Sequence, residues 1–499
     1  MDEQLIFTTH STCTVANIHS AAQINLKQCV TDYPNGACLV GNKYLFVAQA
    51  KKALINVYNI SGANKRESVE QRLPLPETVN CLEVVENPIG ESLPVFHLPY
   101  LLLASTPSGK LYIWELNSGN LLAVKPMAHY QAITKIQSIM NGRYIVTSGA
   151  DARVMIWQTI DLVTKEEPKP VHILHDHTLS VTDFCVSNAH ASHISAKLFT
   201  ISDDTTLRCY DLNMDLYKEP KLIATFTFPF ALKSIALDPA DRACYVGGQQ
   251  GVFALNLYYK MEALKIVNLI NSPNNIYACV EATANEKRSE LYSLGQISCP
   301  KITTKNATKL ACSMDGSFLV VGDVSGSCTI MDIYAKQPVK EVHALASQDT
   351  MGSVTSIIST VIATGESDSL LTTEKAQTTQ KIPNLQKNIY NRQGLHDIFF
   401  QVGESRDDLV LPLDDFESYL DQAASEENAF MQLGGVVTGV KVVKQLEEVA
   451  PEVVAESSND QEVTELKQTV QQLTDAYKEL REMHEKLFQE HEELLNKSS

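Results

Sequence analysis

Two short constellations are the first places to look for chemistry. His129, Asp151 and Trp157 fall in one segment, and His177, Asp204, Tyr210 and Asp211 occupy comparable positions in the next. In both, an aspartate precedes an aromatic residue by six positions. A histidine held by a carboxylate is half of a nucleophilic site, because the carboxylate orients the imidazole that takes the proton. Repetition points elsewhere. An active site is needed once, whereas a bond that ties a turn to a strand is needed in every copy of a repeat, and a buried imidazole donating to a carboxylate satisfies groups that would otherwise be stranded. All seven residues are therefore read as scaffold.

Other signatures of chemistry fail on inspection. The sequence holds no GxxxxGK[ST] phosphate loop, no GxGxxG after a strand and no GxSxG elbow. His484 is followed by Glu485, but Phe488 stands where a zinc-binding helix needs its second histidine. The expectation is a protein with no catalytic residue, no cofactor and no metal site.

The elements that position these residues are short strands. Ile133–Thr159 reads as an apolar strand, a turn with Asn and Gly, a strand ending in small residues, and a strand ending in Trp157. The same plan recurs around Tyr58, Trp114, Tyr210, Leu255 and Met331. Successive gaps between these six positions are 56, 43, 53, 45 and 76 residues. A blade of four strands repeats at about 40 to 45 residues, so the longer gaps contain insertions, the longest within Lys260–Lys305. Apolar and polar residues alternate within the strands, so the body is all-β. Blades set radially cover one another's edges when the ring closes. The N-terminal runs Gln4–His10 and Cys13–Ser20 are expected to close it by pairing with Val354–Thr364. Six copies and this composite make a seven-bladed β-propeller over residues 1–402. An eighth blade, taking Leu395–Val402 separately, is the alternative to its returning to the last blade.

Charge divides the chain further. The 499 residues carry 41 Lys plus Arg against 59 Asp plus Glu, a net charge of −18. That sign disfavours charge-driven binding of phosphate backbones and leaves direct RNA contact open. Residues 403–460 hold 14 acidic and three basic side chains and read as an acidic connector. Within it Phe416, Tyr419 and Leu420 share one face of a short helix that docks on the body or on a partner. Eleven isolated cysteines fit neither disulfide pairs nor CxxC zinc spacing and point to a reducing compartment. The N-terminal sequence lacks a signal-peptide pattern, and no apolar run is long enough to span a bilayer as a helix.

Residues 461–499 change period. Leu466, Leu473, Leu480, Leu487 and Leu494 repeat every seven residues as d positions, with Val463, Val470, Tyr477, His484 and His491 at a. A stripe this narrow needs a partner helix, either a second copy or another protein. Imidazoles at His484 and His491 would repel across a dimer seam when protonated. The plainer reading is that they are polar seam residues that set register.

The strand endings IWEL, IWQT and CYDL resemble the WD-repeat family, with Leu255 and Met331 departing from its aromatic position. The stretch Phe228–Leu255, with LDPADR at Leu237–Arg242 and YVGG at Tyr245–Gly248, is similar to the WD-repeat subunit of the Rix/Ipi pre-ribosome complex. The order of blades and the terminal coil extend the likeness over most of the chain. It implies a nuclear, non-enzymatic scaffold in large ribosomal subunit maturation and in removal of the second internal transcribed spacer from precursor rRNA. Its implied partners are the other subunits of that complex, the pre-ribosomal particle and a large AAA-type ATPase. The same disc and coil would also suit a WD-repeat adaptor of a vesicle coat, a ubiquitin ligase, or chromatin and replication licensing.

Overall fold

The computed structural model describes residues 2–41, 43–60, 67–85, 96–97, 101–140, 142–187, 196–212, 219–261, 265–271, 275–282, 287–344, 352–362, 382–389 and 401–402. The chain divides into two units, Met1–Glu404 and Ser405–Ser499. All described residues belong to the first. The connector helix around Phe416, Tyr419 and Leu420, and the heptad residues Val463, Leu466, Val470, Leu473, Tyr477, Leu480, His484, Leu487, His491 and Leu494, lie outside the described residues.

The first unit is a β-propeller of antiparallel sheets taken in chain order. The first sheet runs Ala37–Val40, Tyr44–Ala48, Leu54–Asn59 and Gln71–Pro74, and the second Cys81–Val85, Leu101–Ser105, Leu111–Glu115 and Leu121–Lys125. The third is Ile133–Ile139, Tyr144–Gly149, Val154–Gln158 and His172–Leu174. The fourth begins with Val181–Val186, Lys197–Ser202, Thr206–Asp211 and Lys221–Thr227. The fifth holds Leu232–Leu237, Ala243–Gly248, Gly251–Asn256 and Lys301–Thr303, and the sixth Ala307–Cys312, Phe318–Asp323, Ser327–Asp332 and Gln337–His343. A closing sheet joins both ends: Asp2–Thr9 lies between Cys13–Asn17 and Val354–Ile362, with Gln4 opposite Thr360 and Ile6 opposite Ile358. The innermost strands touch in chain order, and Val354–Ile362 in turn touches Ala37–Val40.

The expectation of uniform four-stranded blades is corrected at one place. Among the described residues six sheets have four strands, but the fourth has six, because Asn275–Glu281 adds parallel to Lys221–Thr227 and Gln296–Cys299 adds parallel to Asn275–Glu281. A parallel addition requires a crossover; three strands of the fifth sheet and a hairpin lie in the first, and the helix Arg288–Ser293 lies in the second. With the hairpin Tyr258–Lys260 and Ile266–Asn268, this accounts for the long gap between Leu255 and Met331. Tyr292 of the helix stacks between Tyr259 and Tyr277, so the insertion shares the core of the fourth and fifth sheets. The Leu395–Val402 patch also differs from expectation: its end, Gln401–Val402, pairs with Phe96–His97 and not with the closing sheet.

Middle strands such as Leu111–Glu115, Tyr144–Gly149 and Ala243–Gly248 bury both faces because their sheets are packed between two neighbours, whereas the outer strand Gln337–His343 is largely exposed. Trp114, Trp157, Tyr58 and Tyr210 are among the largest side chains fully removed from water. They stand on the third strands of successive sheets, at the positions the repeat assigns them.

Candidate functional site

In the third sheet, His129 precedes the innermost strand and Asp151 sits in the turn between the second and third strands. Nδ1 of His129 donates to Oδ1 of Asp151 at 3.0 Å, and Nε2 lies 2.8 Å from Oγ1 of Thr147. With Nδ1 carrying the proton, Nε2 is the acceptor and the threonine hydroxyl is the donor. The Trp157 indole N–H donates to that same oxygen at 3.0 Å, completing a four-residue chain from turn to core. Asp151 also accepts from the backbone N–H of Tyr130 and Arg153, which fixes a turn whose next residue, Ala152, has φ +62°. Gly149 is required beside it, since a Cβ there would lie 2.4 Å from both Asp151 and His129.

The fourth sheet repeats the arrangement with one change. His177 Nδ1 meets Asp204 Oδ2 at 3.0 Å, and Nε2 meets Thr200 Oγ1 at 2.8 Å. Tyr210 does not join this chain; its hydroxyl donates to Asp176 at 2.8 Å. Asp211 is not brought to the cluster either, and its Oδ1 is buried with no partner among the described residues. Burial pushes the Asp204 carboxyl up, but hydrogen bonds from His177, Thr206 and the Thr178 N–H outweigh it and hold the group well below the usual carboxylate range. Asp151 is lowered in the same way by His129. His129 and His177 side chains are at most 2% exposed. Neither ring is open to solvent, and each links a turn to a strand of its own sheet.

Sequence reasoning missed the threonines of these chains and a second system around the central axis. Innermost strands begin Ile133-Thr134-Lys135, Val181-Thr182-Asp183, Leu232-Lys233-Ser234 and Ala307-Thr308-Lys309, each with a bulge at its second residue. Thr134, Thr182 and Thr308 donate across to the next sheet at Val181 O, Leu232 O and Val354 O, at 2.7, 2.8 and 2.9 Å. The third residues converge on the axis. Lys135 Nζ reaches Asp183 Oδ1 at 2.9 Å, Lys309 Nζ reaches Oδ2 at 3.2 Å, and the Ser234 hydroxyl donates to Oδ2 at 3.2 Å. Burial alone would raise the Asp183 carboxyl; the two ammonium groups bring it down to about 2. The recurring apolar-Thr-polar triplet was the available signal.

Above this network lies a cavity of about 540 Å³, lined among others by His10, Tyr33, Asn80, Lys233, Lys309 and Ser353. Among the described residues no group of three or more His, Cys, Asp or Glu could hold a metal ion. The eleven thiols are free, and nine of them are buried. Burial pushes Cys81 and Cys185 up to about 12, so these two are not poised as nucleophiles.

A third feature had no sequence signal. Residues 382–389, far along the chain, lie extended against the junction of the first and second sheets, where Leu385 is 4% exposed and completes their shared core.

The WD domain, G-beta repeat family matches residues 121–158, which span the end of the second sheet and three strands of the third. Pre-rRNA-processing protein IPI3 of Saccharomyces cerevisiae strain YJM789 is 48% identical, with 94% of this chain and 95% of that protein covered. The proteins of the same name from Eremothecium gossypii and Kluyveromyces lactis are also 48% identical over 94% of this chain, with 95% and 93% of their own lengths covered. Similarity of this extent, laid over a propeller that carries the repeat's histidine–aspartate chains, places the polypeptide in the family of pre-rRNA-processing protein IPI3.

Proposed function

We propose that the chain is a non-catalytic scaffold subunit of a nuclear complex that acts in precursor rRNA processing, at the second internal transcribed spacer, and in large ribosomal subunit maturation. The observation that carries this reading is the near full-length similarity to relatives named for pre-rRNA processing. The geometry agrees, since the histidine–aspartate chains are buried and repeated and serve the ring. Its role is positional: a rigid disc with several surfaces raises the effective concentration of partners that bind it together. Those partners are the other subunits of a Rix/Ipi-type complex, the pre-ribosomal particle and its AAA-type ATPase.

Seven innermost strands touching in a cycle support a seven-bladed count, the first four strands of the six-stranded sheet forming one blade. His129, Asp151, Trp157, His177, Asp204, Tyr210 and Asp211 are its scaffold residues. Residues 403–460 form the acidic connector. The heptad spacing of residues 461–499 supports a pairing helix, through Val463, Leu466, Val470, Leu473, Tyr477, Leu480, Leu487 and Leu494, with a second copy or a partner helix.

Depletion of the protein in cells, followed by hybridisation against the second internal transcribed spacer, tests the function. Precursors retaining that spacer are expected to accumulate, and an unchanged precursor profile would overturn the reading. Truncation after Asp460 is expected to lower the mass of the purified assembly or to remove a subunit.

A further inference from the structure

The junction of the first and second sheets holds residues 382–389 by contacts directed at their backbone. The Gln71 side chain makes a two-point bond, accepting from the Ile382 N–H at 3.0 Å and donating to the Ile382 carbonyl. The Gln386 N–H donates to Gly119 O at 2.8 Å, and the Gln386 side chain donates to Asn120 Oδ1 at 2.7 Å. Gly119, at φ +74°, lets the segment close in, since a Cβ there would lie 2.4 Å from Asn384 O. Leu385 fills the apolar gap, with Ile382 and Ile389 packed beside it.

Trp114 shows how this groove departs from the repeat. In the third sheet the Trp157 indole donates to Thr147, within its own blade. Strand register puts Ala104 at the corresponding place in the second sheet, so no hydroxyl is present there. The Trp114 indole donates instead to Gln386 O, at 2.8 Å. The groove thus offers an indole donor, a glutamine that reads an amide, a backbone carbonyl and a leucine pocket. This is the equipment for binding an extended peptide through main-chain bonds and one apolar anchor.

We propose that this groove is a peptide-docking site in its own right, with residues 382–389 as its ligand, bound through main-chain bonds and one leucine and replaceable by the same sequence, Pro followed two residues later by Leu and then Gln, added in trans. Its contacts recognise amides and a leucine.

The full chain has two tryptophans, so 5-fluorotryptophan labelling gives two ¹⁹F resonances, assigned with Trp114→Phe. In Leu385→Asp the Trp114 resonance is expected to move while that of Trp157 stays, which also reports that the ring is intact. The acetylated, amidated peptide KIPNLQKNI, added to that variant, should return the Trp114 resonance to its original position with single-site saturation. The same peptide with Asp for Leu should not, and Gln71→Ala should weaken the rescue about tenfold, the effect of losing a two-point amide bond. A fluorescein-labelled copy is expected to bind the unaltered chain about a hundredfold more weakly than the variant, because a tethered segment competes at an effective concentration near millimolar. No rescue at about 1 mM peptide, or equal rescue by the Asp peptide, overturns the proposal.

Discussion

Thr147 serves two partners, donating its hydroxyl to the His129 ring of the turn and accepting from the Trp157 indole of the core. Thr200, its counterpart, serves the His177 ring alone, because Tyr210 turns its hydroxyl to Asp176. An unsatisfied buried polar group costs about 1–3 kcal/mol. Thr147→Val strands two such groups and Thr200→Val one, at nearly unchanged volume. Both variants are expected to lose stability, Thr147→Val by at least about 1 kcal/mol more than Thr200→Val. Denaturant unfolding at neutral pH measures the difference, and equal losses would show that the indole bond contributes nothing. The histidines and aspartates of these chains were legible because they recur in successive copies, each aspartate six positions before an aromatic residue. The threonines were not singled out, since a threonine in a strand has an ordinary explanation in β propensity.

At the level of the element, the innermost strands are joined by a charge cluster that the sequence scatters over Lys135, Asp183, Ser234 and Lys309. Only closure of the ring brings these residues together, which is why no local pattern disclosed them. Periodicity likewise disclosed the strands, but not that two parallel strands would extend the fourth sheet, because parallel addition depends on the crossovers folding back. The cluster has a consequence in acid. Asp183 is brought to about 2 in the folded protein, below its unfolded value near 3.9. Its ionised form therefore stabilises the fold fully above pH ~4, and that contribution, of order 2 kcal/mol, is lost as pH falls from about 4 to 2. Lys309→Met leaves Asp183 with Lys135 alone and raises its carboxyl, so less stability is lost over that interval. Stability measured from pH 5 to 2 in both proteins checks this. An identical slope in the two would remove Lys309 from the account.

Closure itself is a property of the whole molecule, and it rests on one strand. Along Asp2–Thr9 successive side chains point to opposite faces of the closing sheet. Leu5 and Phe7 enter the core shared with the sixth sheet, beside Val320 and Ile330. Ile6 enters the core shared with the first sheet, beside Leu45, Val47 and Tyr58. All three are fully buried, so this strand is a wedge between the two ends of the ring. Removing either apolar side chain opens a cavity on one side only. Phe7→Ala is expected to cost about 3–5 kcal/mol and Ile6→Ala about 2–5 kcal/mol. The informative result is where the damage spreads. Hydrogen exchange in Phe7→Ala should accelerate in Phe318–Asp323 and Ser327–Asp332, with Tyr44–Ala48 and Leu54–Asn59 little changed; Ile6→Ala should reverse that pattern. A ring held by interfaces in series must behave this way, because each interface is a separate packed surface between neighbouring sheets. If both variants instead loosen every sheet equally, the propeller opens as one cooperative body, and the interface between its ends is no more local than the rest.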